Sequence, residues 1–263
     1  MSTPFFRFRQ FTVWHDRCAM KVNTDGVLLG AWTAIPTNNT TPIRCLDIGT
    51  GSGVVALMLA QRCQTALIDA IDIEPTAALQ AQHNFTLSPW HNRLNAQHLS
   101  LNDLLDKRHQ QTDVNSCQSE YCLVVSNPPF FADALPSPNK ERRLARQTDT
   151  LSFHHIIAAA AELLLPFGRL SLILPAQDRQ SALTLAAQHS LYLTRLTQVQ
   201  PSPAKPSHRI LIEWEYRPCT PLLTSDTYPT FTVPYQSNNL CIASHNTPRS
   251  EEYASLTKDF YLF

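Results

Sequence analysis

Glycine is scarce in this chain: six residues of 263, where average usage would give about 18. Wherever glycines cluster, the backbone therefore has a reason to need them. No run approaches the ~18 consecutive apolar residues of a membrane span; the most apolar stretch, 156–165, is short and contains Glu162. The N-terminus lacks the long apolar core and small-residue cleavage site of a secretory signal. Excess charge is absent too. Lys plus Arg and Asp plus Glu are both 21, which excludes a protein coated in positive charge and leaves room for a local basic patch. Cys-x-x-Cys is missing, and the seven cysteines (18, 45, 63, 117, 122, 219, 241) are odd in number. They are expected as free thiols in a reducing cytoplasm, without structural zinc or another metal.

What remains is an ordinary globular composition, 43% hydrophobic and 16% charged. Residues 43–48 form a short apolar run that stops at Gly49 and passes into a helical pattern over 54–62. A second strand over 66–71 ends at Asp72, and Pro75 opens a helix. Residues 95–100 read as a weak third strand and 121–126 as a clear fourth, cut off by Asn127-Pro128-Pro129. A helix over 152–165 leads to a strand at 169–174, a helix at 176–189, and two strands at 191–199 and 210–216 joined by a loop. Strands alternating with helices predict an α/β fold with a mostly parallel sheet; the final pair adds an antiparallel strand. Residues 107–120 read as a polar loop and 131–150 as a charged insertion. With no clean linker, 1–263 is expected as one domain: an N-terminal segment (1–42), a core (43–217) and a C-terminal extension (218–263), its 218–249 stretch irregular or partly strand and 250–263 a short helix.

Three of the six glycines fall in Gly49-Thr-Gly51-Ser-Gly53, after a strand and before a helix, with Asp47 just upstream. Glycine lets backbone turn tightly and approach a ligand, and a helix N-terminus offers free N–H groups. The spacing is not that of a dinucleotide fingerprint, because Val54 stands at its third glycine position. Asp72 lies where an acid receives ribose hydroxyls in nucleotide-binding α/β folds, with Glu74 competing for that role. Asp103 is placed either to accept from an adenine amine or to cap a helix. Asn127 ends a central strand, so its amide oxygen would project into the ligand crevice with Phe130 as a stacking face. Each motif has a plain structural alternative: a tight turn, a solvated carboxylate, a loop rich in proline.

Taken together, Asp47-Ile-Gly-Thr-Gly-Ser-Gly53, Asp72, Asp103 and Asn127-Pro-Pro-Phe130 resemble the ordered motifs of seven-stranded, Rossmann-like methyltransferases that use S-adenosylmethionine. Asn-Pro-Pro-Phe resembles the subset acting on planar nitrogens. The run from Phe11 to Trp32, His208-Arg-Ile-Leu-Ile212 and Phe260-Tyr-Leu-Phe263 are similar to the bacterial family that methylates N6 of adenine 37, beside the anticodon, in tRNA(Val). The likeness spans residues 5–217 and resumes at the C-terminal helix. It implies that Lys21, Thr24 and Asp25 close over the methionine part of the cofactor, with Asp47, Gly49, Gly51 and Gly53 beneath it. It further implies Asp72 at the ribose, Asp103 at the adenine, and Asn127, Pro128, Pro129 and Phe130 as the catalytic residues around the target base. Phe130 stands where many relatives carry tyrosine, and Asn23 where a small residue is expected.

A tRNA partner needs positive charge near the crevice. Lys140, Arg142, Arg143 and Arg146 follow the Asn-Pro-Pro-Phe turn with one acid, Glu141, among them, and Arg7, Arg9, Arg17 and Lys21 face a single Asp16. Both groups are expected to grip phosphates, with solvated surface charge as the alternative. His154 and His155 read as capping or packing groups, and Phe11 and Trp14 as an N-terminal strand anchored on the core, with stacking on RNA as the alternative. The expected protein is a cytoplasmic monomer. Methylation of guanine N2 or a protein glutamine, or nucleotide binding without methyl transfer, are the rival readings.

Overall fold

The computed structural model describes residues 3–18, 20–36, 42–110, 121–129, 151–218, 234–244 and 247–262. A short hairpin, β1 (Phe5–Arg7) and β2 (Thr12–Trp14), precedes α1 (Thr24–Trp32). The main sheet then begins with β3 (Ile43–Ile48), α2 (Val54–Arg62), β4 (Ala66–Asp72), α3 (Pro75–Thr86), β5 (Leu94–His98) and α4 (Leu101–Gln110). It continues through β6 (Tyr121–Ser126), α5 (Phe153–Leu163), β7 (Leu164–Pro175), α6 (Arg179–Gln188), β8 (Leu191–Gln200), β9 (Arg209–Tyr216), β10 (Gln236–Cys241) and α7 (Glu251–Thr257).

The strand order is β10-β8-β9-β7-β6-β3-β4-β5. β9 runs antiparallel to both β7 and β8, and the other pairs are parallel. The chain starts in the middle at β3, steps outward to β5, then returns to the other side of β3 at β6. That reversal opens a crevice at the carboxyl ends of β3 and β6, where open α/β sheets bind ligands. Ser126 Oγ donates to Ile48 O across this point (2.6 Å) and fixes the strand ends against each other.

Both faces of the sheet are covered, so its central strands are apolar on alternate residues in both directions. Cys45, Leu123 and Val125 pack with α1, α2 and the hairpin on one face; Leu46, Ile48 and Val124 pack with α5 and α6 on the other. Glycine also sets the α1–α2 crossing: a Cβ at Gly30 would stand 2.8 Å from Met58 Sδ.

Three expectations are corrected. The sheet has eight strands rather than seven: β10, from the C-terminal extension, takes the open ladder of β8 and buries Leu240. Residues 107–110 are helical, because Lys107, Arg108 and His109 complement the negative end of α4. β7 begins at Leu164, not 169, since Pro166 bars a continuing helix and drives Leu165 into extended backbone. Phe130, Lys140, Arg142, Arg143 and Arg146 lie outside the described residues.

Phe85 on α3 is fully buried beneath the glycine turn. Phe85→Ala should cost about 3–5 kcal/mol and lower the melting temperature by roughly 10 °C, read by circular dichroism. An unchanged melting temperature would mean that α3 does not support the turn.

Candidate active site

The turn between β3 and α2 is forced by its stereochemistry. Gly49, Gly51 and Gly53 have φ of 69°, 56° and 81°, a region that side-chain-bearing residues avoid. Backbone amides of Gly49 and Thr50 both donate to Ile71 O (2.9 and 3.0 Å), stitching the turn to the end of β4. Asp72 completes the joint: its carboxylate accepts from the Gly51 amide (2.8 Å) and the Glu74 amide (2.9 Å). Asp47 lies beneath, taking the Thr50 hydroxyl at 2.7 Å.

Above the turn is a cavity of about 490 Å³, within the range of small-molecule sites. Its floor includes Asp47, Gly49 and Gly51, and its walls Asp72, Ile73, Glu74, Leu99 and Leu101. Lys21, Asn23 and Gly26 line one side; Asn127, Pro129, Leu151 and His155 line another. A Cβ at Gly51 would meet no atom within 4 Å, so the floor there is bare backbone open to a ligand. A floor of open backbone, an acid at the rim and apolar walls fit a nucleoside carrying a charged amino-acid tail.

Several of the expected residues sit elsewhere. Thr24, Asp25, Gly53, Pro128 and Asp103 are not in the cavity wall. Asp25 pairs with Arg209 Nε at 2.9 Å, and Gly53 begins α2 against Phe85. The Ser100 hydroxyl donates to Asp103 (2.6 Å) and accepts from its amide (3.0 Å), while the neighbouring Asn102 reaches the wall. Asn23, in place of a small residue, caps α1 by accepting from the Gly26 amide at 2.9 Å.

Asn84 is a positioning residue that sequence reading missed. Wholly buried, it accepts from the Trp14 amide (2.9 Å) and donates to Trp14 O and Ser52 O (2.8 Å each). One side chain thereby ties the hairpin to the glycine turn. The available signal was Gln80 and Asn84, two amides one turn apart on a helix face otherwise made of Ala77, Ala81 and Phe85.

Burial shifts the acids. Asp47 is pushed up to about 7 by loss of water, against the opposing bonds from Thr50 and Ala56 and reinforced by the charge of Asp72. Asp72 is raised for the same first reason, with the Glu74 and Gly51 amides pulling it back. Cys18 at the cavity edge is pushed up to about 11 by burial and by Asp72, and stays a thiol. Among the described residues no group of three or more His, Cys, Asp or Glu is placed to hold a metal.

An open, mostly parallel sheet with a glycine turn after its first strand and an acid after its second defines a Rossmann-like methyltransferase that uses S-adenosylmethionine. The family model described as "Methyltransferase small domain" matches residues 32–189. Proteins named tRNA1(Val) (adenine(37)-N6)-methyltransferase from Parabacteroides distasonis and Bacteroides fragilis are 42% and 41% identical, each alignment covering 100% of this chain and 99% of theirs. The chain belongs to that family of methyltransferases. A solved structure described as a predicted O-methyltransferase from Agrobacterium tumefaciens superposes with TM-score 0.63 at 14% identity, covering 91% of this chain and 98% of its own, which shows the shared fold.

Asp47 yields a pH test. Its folded value, about 7, lies above the ordinary 3.8, so the folded protein keeps a proton that the unfolded chain releases. Between about pH 4 and 7 this group makes stability fall as pH rises, and above 7 the loss is complete. In Asp47→Asn the melting temperature relative to wild type should climb across that window and then level off. A difference that does not vary with pH would show the carboxyl to be ionised throughout.

Proposed function

We propose that this chain transfers a methyl group from S-adenosylmethionine to N6 of an adenine in tRNA, at position 37 beside the anticodon of tRNA(Val). The activity of relatives named as tRNA1(Val) (adenine(37)-N6)-methyltransferases and aligned over the whole chain supports the substrate. One observation supports the chemistry. Asn127, at the carboxyl end of β6, lines the cavity, and its Oδ1 is buried without a hydrogen-bond partner among the described residues. A buried acceptor left open costs about 1–3 kcal/mol, and an incoming N–H donor satisfies it.

The cofactor, when bound, supplies an electrophilic methyl carbon on a sulfonium. Asp72 would take its ribose hydroxyls, Lys21 its amino-acid end above the open backbone of the glycine turn, and Ile73 with Leu99 its base. An adenine amine is a poor nucleophile because its lone pair is delocalised into the ring. Asn127 Oδ1 accepts one amine proton, and a carbonyl of the Pro128-Pro129 turn accepts the other. The nitrogen is thereby drawn toward a pyramidal shape, with its lone pair out of the ring plane. Phe130 offers the ring a stacking face, and the two prolines hold the turn in one conformation. Catalysis is then positioning and electrostatics, and the surplus proton leaves to water. A base in an anticodon loop is more easily unstacked for this chemistry than one in a duplex.

The protein is read as a single methyltransferase unit working as a cytoplasmic monomer. Among the described residues no helix is long and apolar enough to cross a membrane. Lys140, Arg142, Arg143 and Arg146 are assigned to phosphates beside the crevice. Arg142→Ala with Arg143→Ala should weaken tRNA binding and reduce its salt slope by about two. Unchanged salt dependence would remove them from the interface.

The direct test is mass spectrometry of nucleosides from tRNA incubated with protein and cofactor, in which N6-methyladenosine should appear. Methyl label on guanine or on protein glutamine instead would overturn the substrate. Asn127→Ala should bind cofactor normally by calorimetry yet lose at least about 100-fold in methyl transfer, the scale of removing one preorganised hydrogen-bonding group. Undiminished transfer would take Asn127 out of the mechanism.

A further inference from the structure

We propose that a second hollow, between α3 and the segment that follows β2, holds an unstacked nucleobase of the same RNA strand, next to the one being methylated. The inference rests on the RNA-substrate reading above. The hollow measures about 210 Å³ and is lined by Trp14, Asp16, Arg17, Gln80 and His83. An indole, an imidazole and a guanidinium are the groups on which splayed RNA bases stack, and the exposed Asp16 carboxylate can read a base edge.

Two further observations tie this hollow to the catalytic one. The same stretch of chain borders both: Trp14, Asp16 and Arg17 line the hollow, and Cys18, Met20 and Lys21 line the cavity. Arg17 to Lys21 is four residues, at most about 14 Å, so neighbouring nucleotides of one strand can occupy both. The hollow is also preorganised from beneath. Asn84 holds the backbone of Trp14 on both its amide and its carbonyl while bonding Ser52 in the glycine turn, and Gln80, 2% exposed, accepts from the Arg17 amide at 3.2 Å. Phe5 packs on Trp14 with ring centroids 5.0 Å apart and is itself exposed, extending the aromatic surface outward. An indole whose backbone is held by two hydrogen bonds to Asn84 loses little freedom when a base lands on it.

The test is fluorescence anisotropy with a labelled anticodon stem-loop RNA, run on the full chain with cofactor present. Trp14→Ala, Arg17→Ala and His83→Ala should each weaken RNA binding, the first by roughly tenfold. Trp14→Phe should restore most of the affinity, and cofactor binding by calorimetry and the melting temperatures of Arg17→Ala and His83→Ala should stay at wild-type values. Unchanged RNA affinity in all three alanine variants overturns the proposal. So does a loss that Trp14→Phe fails to restore and that tracks a fall in melting temperature, which would mark Trp14 as a packing residue. Binding is read without turnover, so absence of N6-methyladenosine from tRNA would sink the substrate reading while the anisotropy judges the hollow separately.

Discussion

The joint between the glycine turn and the end of β4 is the constraint from which the rest of the site follows. Five residues must reverse the chain between a buried strand and a buried helix, and three adopt backbone angles that glycine tolerates. Ile71 O and the Asp72 carboxylate receive the amides of this turn, so β3, β4 and the start of α2 move as one body. α1 packs on α2, and Asn84 carries the constraint outward to the hairpin. The cavity's Asp72 edge and the side lined by α1 are therefore held to its floor.

Two carboxylates at this joint do different work because their surroundings differ. Asp47 is sealed among the turn's own groups, where burial favours its protonated form. Asp72 stands at the cavity, gives one oxygen to each of two amides, and keeps further lone pairs with which a carboxylate can accept. The two disfavour each other's charge, so a site that must receive a cationic sulfonium concentrates its negative charge at the rim and not beneath the floor.

The central fold was legible in the sequence because its signals are local. Residues 43–48, 54–62 and 66–72 carry apolar runs, a glycine stop and a proline start within a few positions of one another, and the structure follows them. The eighth strand was legible only as one alternative for 218–249, with no position or partner. Gln-Ser-Asn-Asn-Leu-Cys has one strongly apolar residue and no alternation, and it becomes a strand through the ladder that β8 leaves open. At the site, Asp72 and Asn127 were visible as polar residues ending apolar strands. Asn84 was not, since an asparagine inside a helix reads as a solvated side chain until the neighbour it faces is known. Asp25 shows the reverse case: its place in a motif suggested a ligand, and its nearest charged partner is Arg209, 184 residues away.

The added strand changes what the sheet presents to other molecules. Without β10 the sheet would end on β8, ten residues of which seven are Leu, Tyr, Val or Thr, with an open row of amides and carbonyls, a template for pairing with any other extended chain. With it the border is six residues long, and Gln236, Ser237, Asn238 and Asn239 are exposed on it. A short, polar margin of this kind is poor at recruiting further strands. The C-terminal extension thus gives a large and otherwise sticky sheet a border that discourages fibre-like growth in a crowded cell.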